Sequence, residues 1–290
     1  MDHEAEAASG KRYQVVTPSP ALWPWVSYYV IVDDCQAGCH LPMAHLPPTP
    51  GAELHINLEG LPARIDPDGS SERALRSMFC GPRTRIERTC NDDGPIYTLA
   101  IGFRVGGWCD LVCDDPGSLT GVYAEAADLF GSLESELTAR LEYSRSHDLV
   151  AAAEAWLHQL IRQRGRDEPQ TAWLRQRLMA ATPAETAAEM GISRRQLDRR
   201  FRQTFGLTPN TFQRLARLQA VHAAGYLSRM ASAPVRDAAD LAAYAGYYDQ
   251  SHLDRDLRQF IGLSLTQLRD RLDAGDAEFE LFNTAMPTPL

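Results

Sequence analysis

Residues 197–208 read L-D-R-R-F-R-Q-T-F-G-L-T and residues 253–264 read L-D-R-D-L-R-Q-F-I-G-L-S, seven identities in twelve positions at an offset of 56. A period this long, seen twice, argues against a stack of many units and for a domain made of two copies of one small module. What precedes each copy defines the module. Ahead of the first, T-P-A-E-T-A-A-E-M-G-I-S puts Pro183 in a first helical turn, offers Ala187, Ala188 and Met190 as a small apolar face, and stops at Gly191. Ser193 can then cap a second helix. Ahead of the second copy, V-R-D-A-A-D-L-A-A-Y-A-G-Y repeats the grammar, with Gly246 as the turn and Asp249 as the cap. Helix, glycine turn and helix make a helix-turn-helix, and the chain carries two.

The net charge of −9 looks wrong for a nucleic-acid binder until it is divided along the chain. Residues 170–275 hold 15 Arg, no Lys and 10 Asp and Glu, a net of +5, which leaves −14 for the remainder. A basic module on an acidic body is expected where only one part meets phosphate. No run of about 18 apolar residues is present, and the start M-D-H-E-A-E-A-A-S-G is acidic and polar. A cytoplasmic protein with no membrane partner is therefore expected.

From Arg12 to about Trp108 the texture is strand-like. Y-Q-V-V-T, W-V-S-Y-Y-V-I-V, E-L-H-I-N-L-E, A-L-R-S-M-F and I-Y-T-L-A-I-G-F are short, rich in β-branched or aromatic residues, and separated by Pro, Gly, Asp and Ser. They predict a small antiparallel sandwich or barrel. After Ser118, D-L-F-G-S-L-E-S-E-L-T-A-R-L-E and L-V-A-A-A-E-A-W-L-H-Q-L-I-R-Q-R have helical spacing and predict one or two closing helices. The polar run R-G-R-D-E-P-Q, residues 164–170, is the expected linker. Beyond it helices are predicted over Thr171 to Ala181, Pro183 to Met190, Arg194 to Phe205, about Pro209 to Leu227, a second short pair, and about Leu265 to Leu272. The fold class is thus α+β with two domains: a β-rich domain over 1–165 and an all-α domain over 166–275, followed by a flexible acidic tail over 276–290.

The pattern A-A-E-M-G-I-S-R-R-Q-L-D-R-R-F-R-Q-T-F-G-L-T-P, followed by D-L-A-A-Y-A-G-Y-Y-D-Q-S-H-L-D-R-D-L-R-Q-F-I-G, resembles the DNA-binding domain of the AraC/XylS class of bacterial transcription regulators over roughly residues 171–272. Tyr247 stands where that family usually has Phe, and Leu265 where it usually has Pro. Neither change removes an apolar group. The runs H-L-P-P-T-P-G-A-E-L-H-I-N-L-E-G, F-C-G-P and D-L-F-G-S-L are similar to the sensor domains found ahead of this module in some members, generally described as cupin-like. The resemblance implies a transcription regulator whose first domain senses a small effector or pairs two chains. Double-stranded DNA is the implied partner, with RNA polymerase and a second copy of the chain also expected.

In a helix-turn-helix the N-terminal half of the second helix enters the major groove. In the first unit that exposes Arg194, Arg195, Asp198, Arg199 and Arg202, while Leu197, Phe201 and Phe205 share the buried face. By resemblance Arg195, Asp198 and Arg199 hold base-reading positions. In the second unit Gln250, Ser251, His252, Asp254, Arg255 and Asp256 fall on the outer face, with Gln250, Ser251 and Arg255 as readers and Leu253, Leu257 and Phe260 inward. Asp254 and Asp256 would repel phosphate unless paired with Arg255 or Arg258, so the second unit is expected to grip less tightly. A straight helix of about 19 residues between the units spans roughly 28 Å, comparable with one turn of DNA at about 34 Å.

All six cysteines, Cys35, Cys39, Cys80, Cys90, Cys109 and Cys113, lie in the first domain, with two C-x3-C spacings and His40, His45 and His55 near them. A zinc site or thiol sensor would use them, and a methyl-accepting zinc and cysteine DNA-repair regulator is one alternative function. The usual C-x2-C pairing is absent, and M-F-C-G and W-C-D-L-V-C are apolar, so buried free thiols are expected. His45 and His55 with Glu53 or Glu59 would suit a cupin metalloenzyme, the second alternative. No H-x-H pair occurs, so structural histidines, no catalysis and no metal or cofactor are expected. Aromatic and polar residues at the mouth of a small barrel form the usual effector site. Trp23, Trp25, Tyr28, His55, Arg104 and Trp108 are the candidates, and core packing would explain most of them equally well.

Overall fold

A computed structural model describes residues 3–6, 12–33, 44–66, 68–90, 95–112, 115–142, 146–164, 171–230 and 238–276, together with Phe279. The strands are β1 (His3–Glu6), β2 (Arg12–Val16), β3 (Val26–Asp33), β4 (Ala44–Leu46), β5 (Ala52–Glu59), β6 (Ala63–Ile65), β7 (Ser71–Arg73), β8 (Ser77–Cys80), β9 (Glu87–Cys90), β10 (Tyr97–Phe103) and β11 (Tyr123–Glu125). They form two antiparallel sheets, one ordered β1-β2-β3-β10-β5-β8-β11 and one ordered β4-β9-β6-β7. Of the two predicted architectures, a sandwich of open sheets is the one present. The short strands β4, β6, β7 and β9 lie outside the five runs singled out in the sequence, because three or four residues carry too few alternations to read.

Side-chain alternation divides the larger sheet. Tyr29, Ile31, Leu54, Ile56, Phe79, Leu99, Ile101 and Phe103 belong to the main core. The neighbouring positions Tyr28, Val30, Val32, Glu53, His55, Asn57, Met78, Thr98 and Ala100 turn to the opposite face, where the smaller sheet lies. Helices cover the core face: α1 (Cys109–Val112), α2 (Ala126–Phe130), α3 (Ser132–Glu142) and α4 (Ser146–Arg164). Trp156 of α4 meets Phe130 edge-on at 5.4 Å and donates its indole N–H to the Leu133 carbonyl at 2.7 Å. The sequence treats 128–142 as one helical run, but Gly131 at φ 58° breaks it into α2 and α3.

The second half contains α5 (Ala172–Ala180), α6 (Pro183–Glu189), α7 (Arg194–Phe205), α8 (Pro209–Met230), α9 (Ala238–Tyr244), α10 (Gln250–Phe260) and α11 (Leu265–Asp273). α7 begins and ends at the predicted residues, and α8 runs three residues beyond the expected Leu227. The predicted linker falls almost wholly outside the described residues. The expected tail lies outside the described residues except for Asp276 and Phe279, and Phe279 is buried, stacked on His45 at 4.4 Å with the Arg271 guanidinium 5.3 Å from its ring. One continuous apolar cluster joins the sheet and its helices to Phe201, Phe205, Phe212 and Leu257 of the second half.

Candidate nucleic-acid interface and a cavity between the sheets

Both helix-turn-helix units are built by caps that the sequence spells out. Thr182 and Glu185 form a capping box at α6, and Ser193 and Gln196 form another at α7. Gly191 and Gly246 make the turns at φ 64° and 75°, a region costly for a residue with a Cβ. Asp249 caps α10, accepting from the His252 N–H at 2.7 Å. Leu197, Phe201 and Phe205 are buried on one side of α7, with the two Phe rings 4.2 Å apart, and Leu253, Leu257 and Phe260 are buried on α10. Tyr247 and Leu265, the two departures from the family pattern, are both buried.

The first reading face is strongly basic. Arg194, Arg195, Arg199, Arg200 and Arg202 are all exposed on α7. Arg194 is tied to Asp198, Nε to Oδ1 at 2.9 Å, which leaves Arg195 and Arg199 as arginines one turn apart on the open side. Gln250, Ser251, Arg255 and Arg258 are exposed on α10, whereas His252 is half-buried with its ring edge-on to Tyr247 at 5.2 Å.

Two outer positions expected on α10 are elsewhere. Asp256 is 1% exposed and accepts from Arg214 of α8, Nη2 at 2.7 Å and Nε at 3.0 Å. Asp254 accepts the Leu265 N–H at 2.8 Å, at the start of α11. Asp256 is therefore neutralised by an arginine of its own domain, while Asp254 keeps its charge and is turned to the start of α11. The second face is the less basic, presenting two exposed arginines where the first presents five.

The first domain holds the far ends of both reading helices. A Cβ built on Gly117 would stand 2.4 Å from the Arg202 carbonyl oxygen, and one on Gly206 would stand 1.8 Å from the Thr120 hydroxyl. Thr171 donates to the Gly106 carbonyl at 2.9 Å. The Ile86 N–H donates to the Phe260 carbonyl at the end of α10, at 2.7 Å. The N-terminal halves of α7 and α10 are left open.

Between the two sheets lies a cavity of about 210 Å³. Val30, Val32, Leu46, Pro62, Met78 and Ala100 give it apolar walls. Its floor is an ion pair: Glu53 is 5% exposed and Arg83 3% exposed, with Arg83 Nη1 to Glu53 Oε2 at 2.7 Å. The Tyr28 hydroxyl donates to Glu53 Oε1 at 2.7 Å, and His55 Nε2 lies 3.2 Å from Oε2. Burial alone would raise the Glu53 carboxyl; the Arg83 guanidinium and the His55 ring outweigh it and hold it well below the usual carboxylate range. Burial, with the Glu53 charge beside it, pushes the Tyr28 hydroxyl up. Gly102 makes room for that ring, since a Cβ there would stand 2.2 Å from it. One wall comes from the second domain: Gln219 and His222 of α8 line the cavity, and Gln219 Nε2 donates to the Thr49 hydroxyl at 3.0 Å.

Of the six effector candidates, the structure brings Tyr28 and His55 to this cavity. Trp25 and Trp108 belong to the core on the other face of the sheet, Trp23 is 49% exposed and donates to the Pro18 carbonyl, and Arg104 is half-buried away from the cavity lining. Glu53, Asn57 and Thr98 were available to sequence reasoning as the polar alternate positions of β5 and β10. Arg83, Gln219 and His222 come from a loop and a distant helix and carry no local signal. Cys80, Cys90 and Cys109 are buried, and burial raises the Cys80 thiol. Cys35, Cys39, Cys113 and His40 lie outside the described residues. Among the described residues no group of three or more His, Cys, Asp and Glu could hold a metal ion.

Two helix-turn-helix units with open, basic reading helices define a sequence-specific DNA-binding transcription regulator. The family model described as "Helix-turn-helix domain" matches residues 186–271, and this part of the chain is an AraC-type DNA-binding domain. Among curated protein sequences none matches. Solved structures similar to this chain include ToxT from Vibrio cholerae, 8% identical, covering 78% of this chain and 95% of that one at a TM-score of 0.41. An apo variant of ToxT from Vibrio cholerae strain SCE256 is 9% identical, covering 87% and 98% at 0.43. Hydroxypropylphosphonic acid epoxidase from S. wedmorenis is 14% identical, covering 35% and 55% at 0.28. Likenesses of this size bear on neither ligand nor activity. No helix among the described residues is long and apolar enough to cross a membrane.

Proposed function

We propose that the chain is an effector-controlled regulator in which a small molecule held between the sheets of the first domain alters how the second domain meets DNA. In this reading residues 1–165 sense and residues 166–275 bind DNA. Arg195 and Arg199 of α7 read base edges, with Asp198 beside them, while Arg194, Arg200 and Arg202 grip phosphates. Gln250, Ser251 and Arg255 of α10 read the second element.

The observation that carries the effector control is the origin of the cavity wall. Gln219 and His222 belong to α8, the helix that joins the two helix-turn-helix units, so an occupant touches both domains at once. A ligand shifts a conformational equilibrium only by the difference in its contacts with the two states, and contact with α8 supplies such a difference. Glu53, the buried carboxylate beside His55, is engaged by Arg83 and Tyr28, which supports binding over catalysis. Contact with RNA polymerase, pairing of two chains through the first domain and a cytoplasmic location are expectations of the same reading.

The test compares the full chain with Ala100→Phe, which fills the cavity. Native mass spectrometry of the wild-type chain should show a co-purifying small molecule that the variant lacks, and adding that molecule should change wild-type DNA affinity several-fold and leave the variant unmoved. Equal responses of the two chains would refute effector control through this cavity.

A further inference from the structure

We propose that Tyr248, in the turn before α10, is a phosphate-contacting residue of the second DNA element, its phenol hydroxyl donating to a backbone oxygen beside the bases that α10 reads. This rests on the reading of α10 as the second reader and adds a contact that its helical face does not supply.

The two turns differ in length. In the first unit Ile192 alone separates Gly191 from the cap Ser193, whereas Tyr247 and Tyr248 both separate Gly246 from the cap Asp249. The Ile192 N–H donates to the Ala187 carbonyl at 3.0 Å and the Tyr247 N–H to the Ala242 carbonyl at 2.8 Å. Those two residues are equivalent, and Tyr248 is the extra one.

An apolar residue just ahead of an N-cap often folds back onto the fourth residue of the helix. For α10 that pair is Tyr248 and Leu253. Leu253 is buried, yet Tyr248 is 93% exposed. The inward place belongs to Tyr247, which is buried edge-on to His252 with the Arg217 guanidinium 5.3 Å from its ring. A single exposed aromatic means little by itself. This one continues the exposed run Asp249, Gln250 and Ser251, at the end of α10 that enters the major groove.

Position and chemistry then select the target. A residue ahead of the cap lies off the first helical turn, towards the rim of the groove, where the phosphates run. Tyrosine is among the side chains that donate to phosphate oxygens. The adjacent Asp249 carboxylate is turned back to the His252 N–H at 2.7 Å, capping the helix. With only two exposed arginines on α10, a neutral donor adds grip that charge does not provide.

The experiment is gel-shift titration of the full chain on the DNA sequence it enriches from a random pool. Tyr248→Phe is expected to weaken binding about threefold to tenfold, the worth of one hydrogen bond, and Tyr248→Ala by at least as much. Both should keep the wild-type urea midpoint, because the side chain is solvated. A phenol releases no counterion, so Tyr248→Phe should leave the salt dependence of affinity unchanged, whereas Arg200→Ala should flatten its slope by about one. Ethylation interference places the contact: one phosphate in the block read by α10 should matter to the wild-type chain and not to Tyr248→Phe. Wild-type affinity of Tyr248→Phe, or identical interference patterns in the two chains, overturns the proposal, and a loss in Arg255→Ala then leaves α10 standing as a reader. If neither Arg255→Ala nor Tyr248→Phe weakens binding and the interfering phosphates form one block, the reading of α10 falls as well.

Discussion

Arg199 and Arg255 stand at equivalent places in the repeat, yet their surroundings differ. Arg199 lies among five exposed arginines on α7, and Arg255 shares α10 with a single further exposed arginine. An arginine forked onto a guanine edge contributes about 1–3 kcal/mol of discrimination. Arg199→Ala is expected to weaken specific binding by roughly tenfold or more and Arg255→Ala by less, as measured by gel-shift titration at one fixed salt concentration; equal losses would contradict the asymmetry. The Glu53–Arg83 pair gives a second residue-scale expectation. Arg83→Met leaves a buried carboxylate uncompensated and should lower stability by about 3–5 kcal/mol in urea unfolding. Because the folded-state carboxyl of Glu53 is held below its unfolded value of about 4.3, its contribution is fully present above that pH and is lost as pH falls through the folded value. Glu53→Gln should therefore lose less stability than the wild-type chain between about pH 5 and pH 2, whatever its stability at neutral pH.

At the scale of elements, the glycines separate local strain from packing. Gly191 and Gly206 both have positive φ, 64° and 73°. A Cβ at Gly191 would meet nothing within 4 Å, but one at Gly206 would collide with Thr120 of the first domain. Gly191→Ala should cost only the strain of a left-handed residue, about 1–2 kcal/mol, and Gly206→Ala should cost more and loosen the seat of α7, seen as a lower urea midpoint with faster amide exchange at Phe205 and Leu207. The helices of the second half were legible because caps, glycine turns and a 3.6-residue apolar period all agree there, which is why α7 was placed to the residue. The face of Asp256 was not legible. Position in a helix puts it outward, and the Arg214 side chain, arriving from α8, compensates its buried charge. β5 posed the reverse problem: Glu53, His55 and Asn57 alternate with Leu54 and Ile56, and no sequence pattern states that a second sheet covers the polar side.

For the whole molecule, the repeat with which the sequence is organised gives a spacing. α8 holds 22 residues, so it spans about 33 Å, close to one turn of DNA at about 34 Å. The first domain seats the far ends of α7 and α10 through Gly117, Thr120 and Ile86, which fixes both readers against one body. Under the proposed function, a ligand in the cavity that touches α8 would alter their spacing. Effector chemistry was beyond the sequence because its determinants meet only in three dimensions, from β3, β5, β8, β10, the Arg83 loop and α8. The most direct test is a hydroxyl-radical footprint of the full chain on the DNA sequence it enriches from a random pool. Two protected blocks, centred about 10–10.5 base pairs apart on one face of the duplex, are predicted, with the block read by α7 the more strongly protected. A single block, two blocks on opposite faces, or a pool in which no sequence is enriched would contradict a regulator that reads DNA through both units.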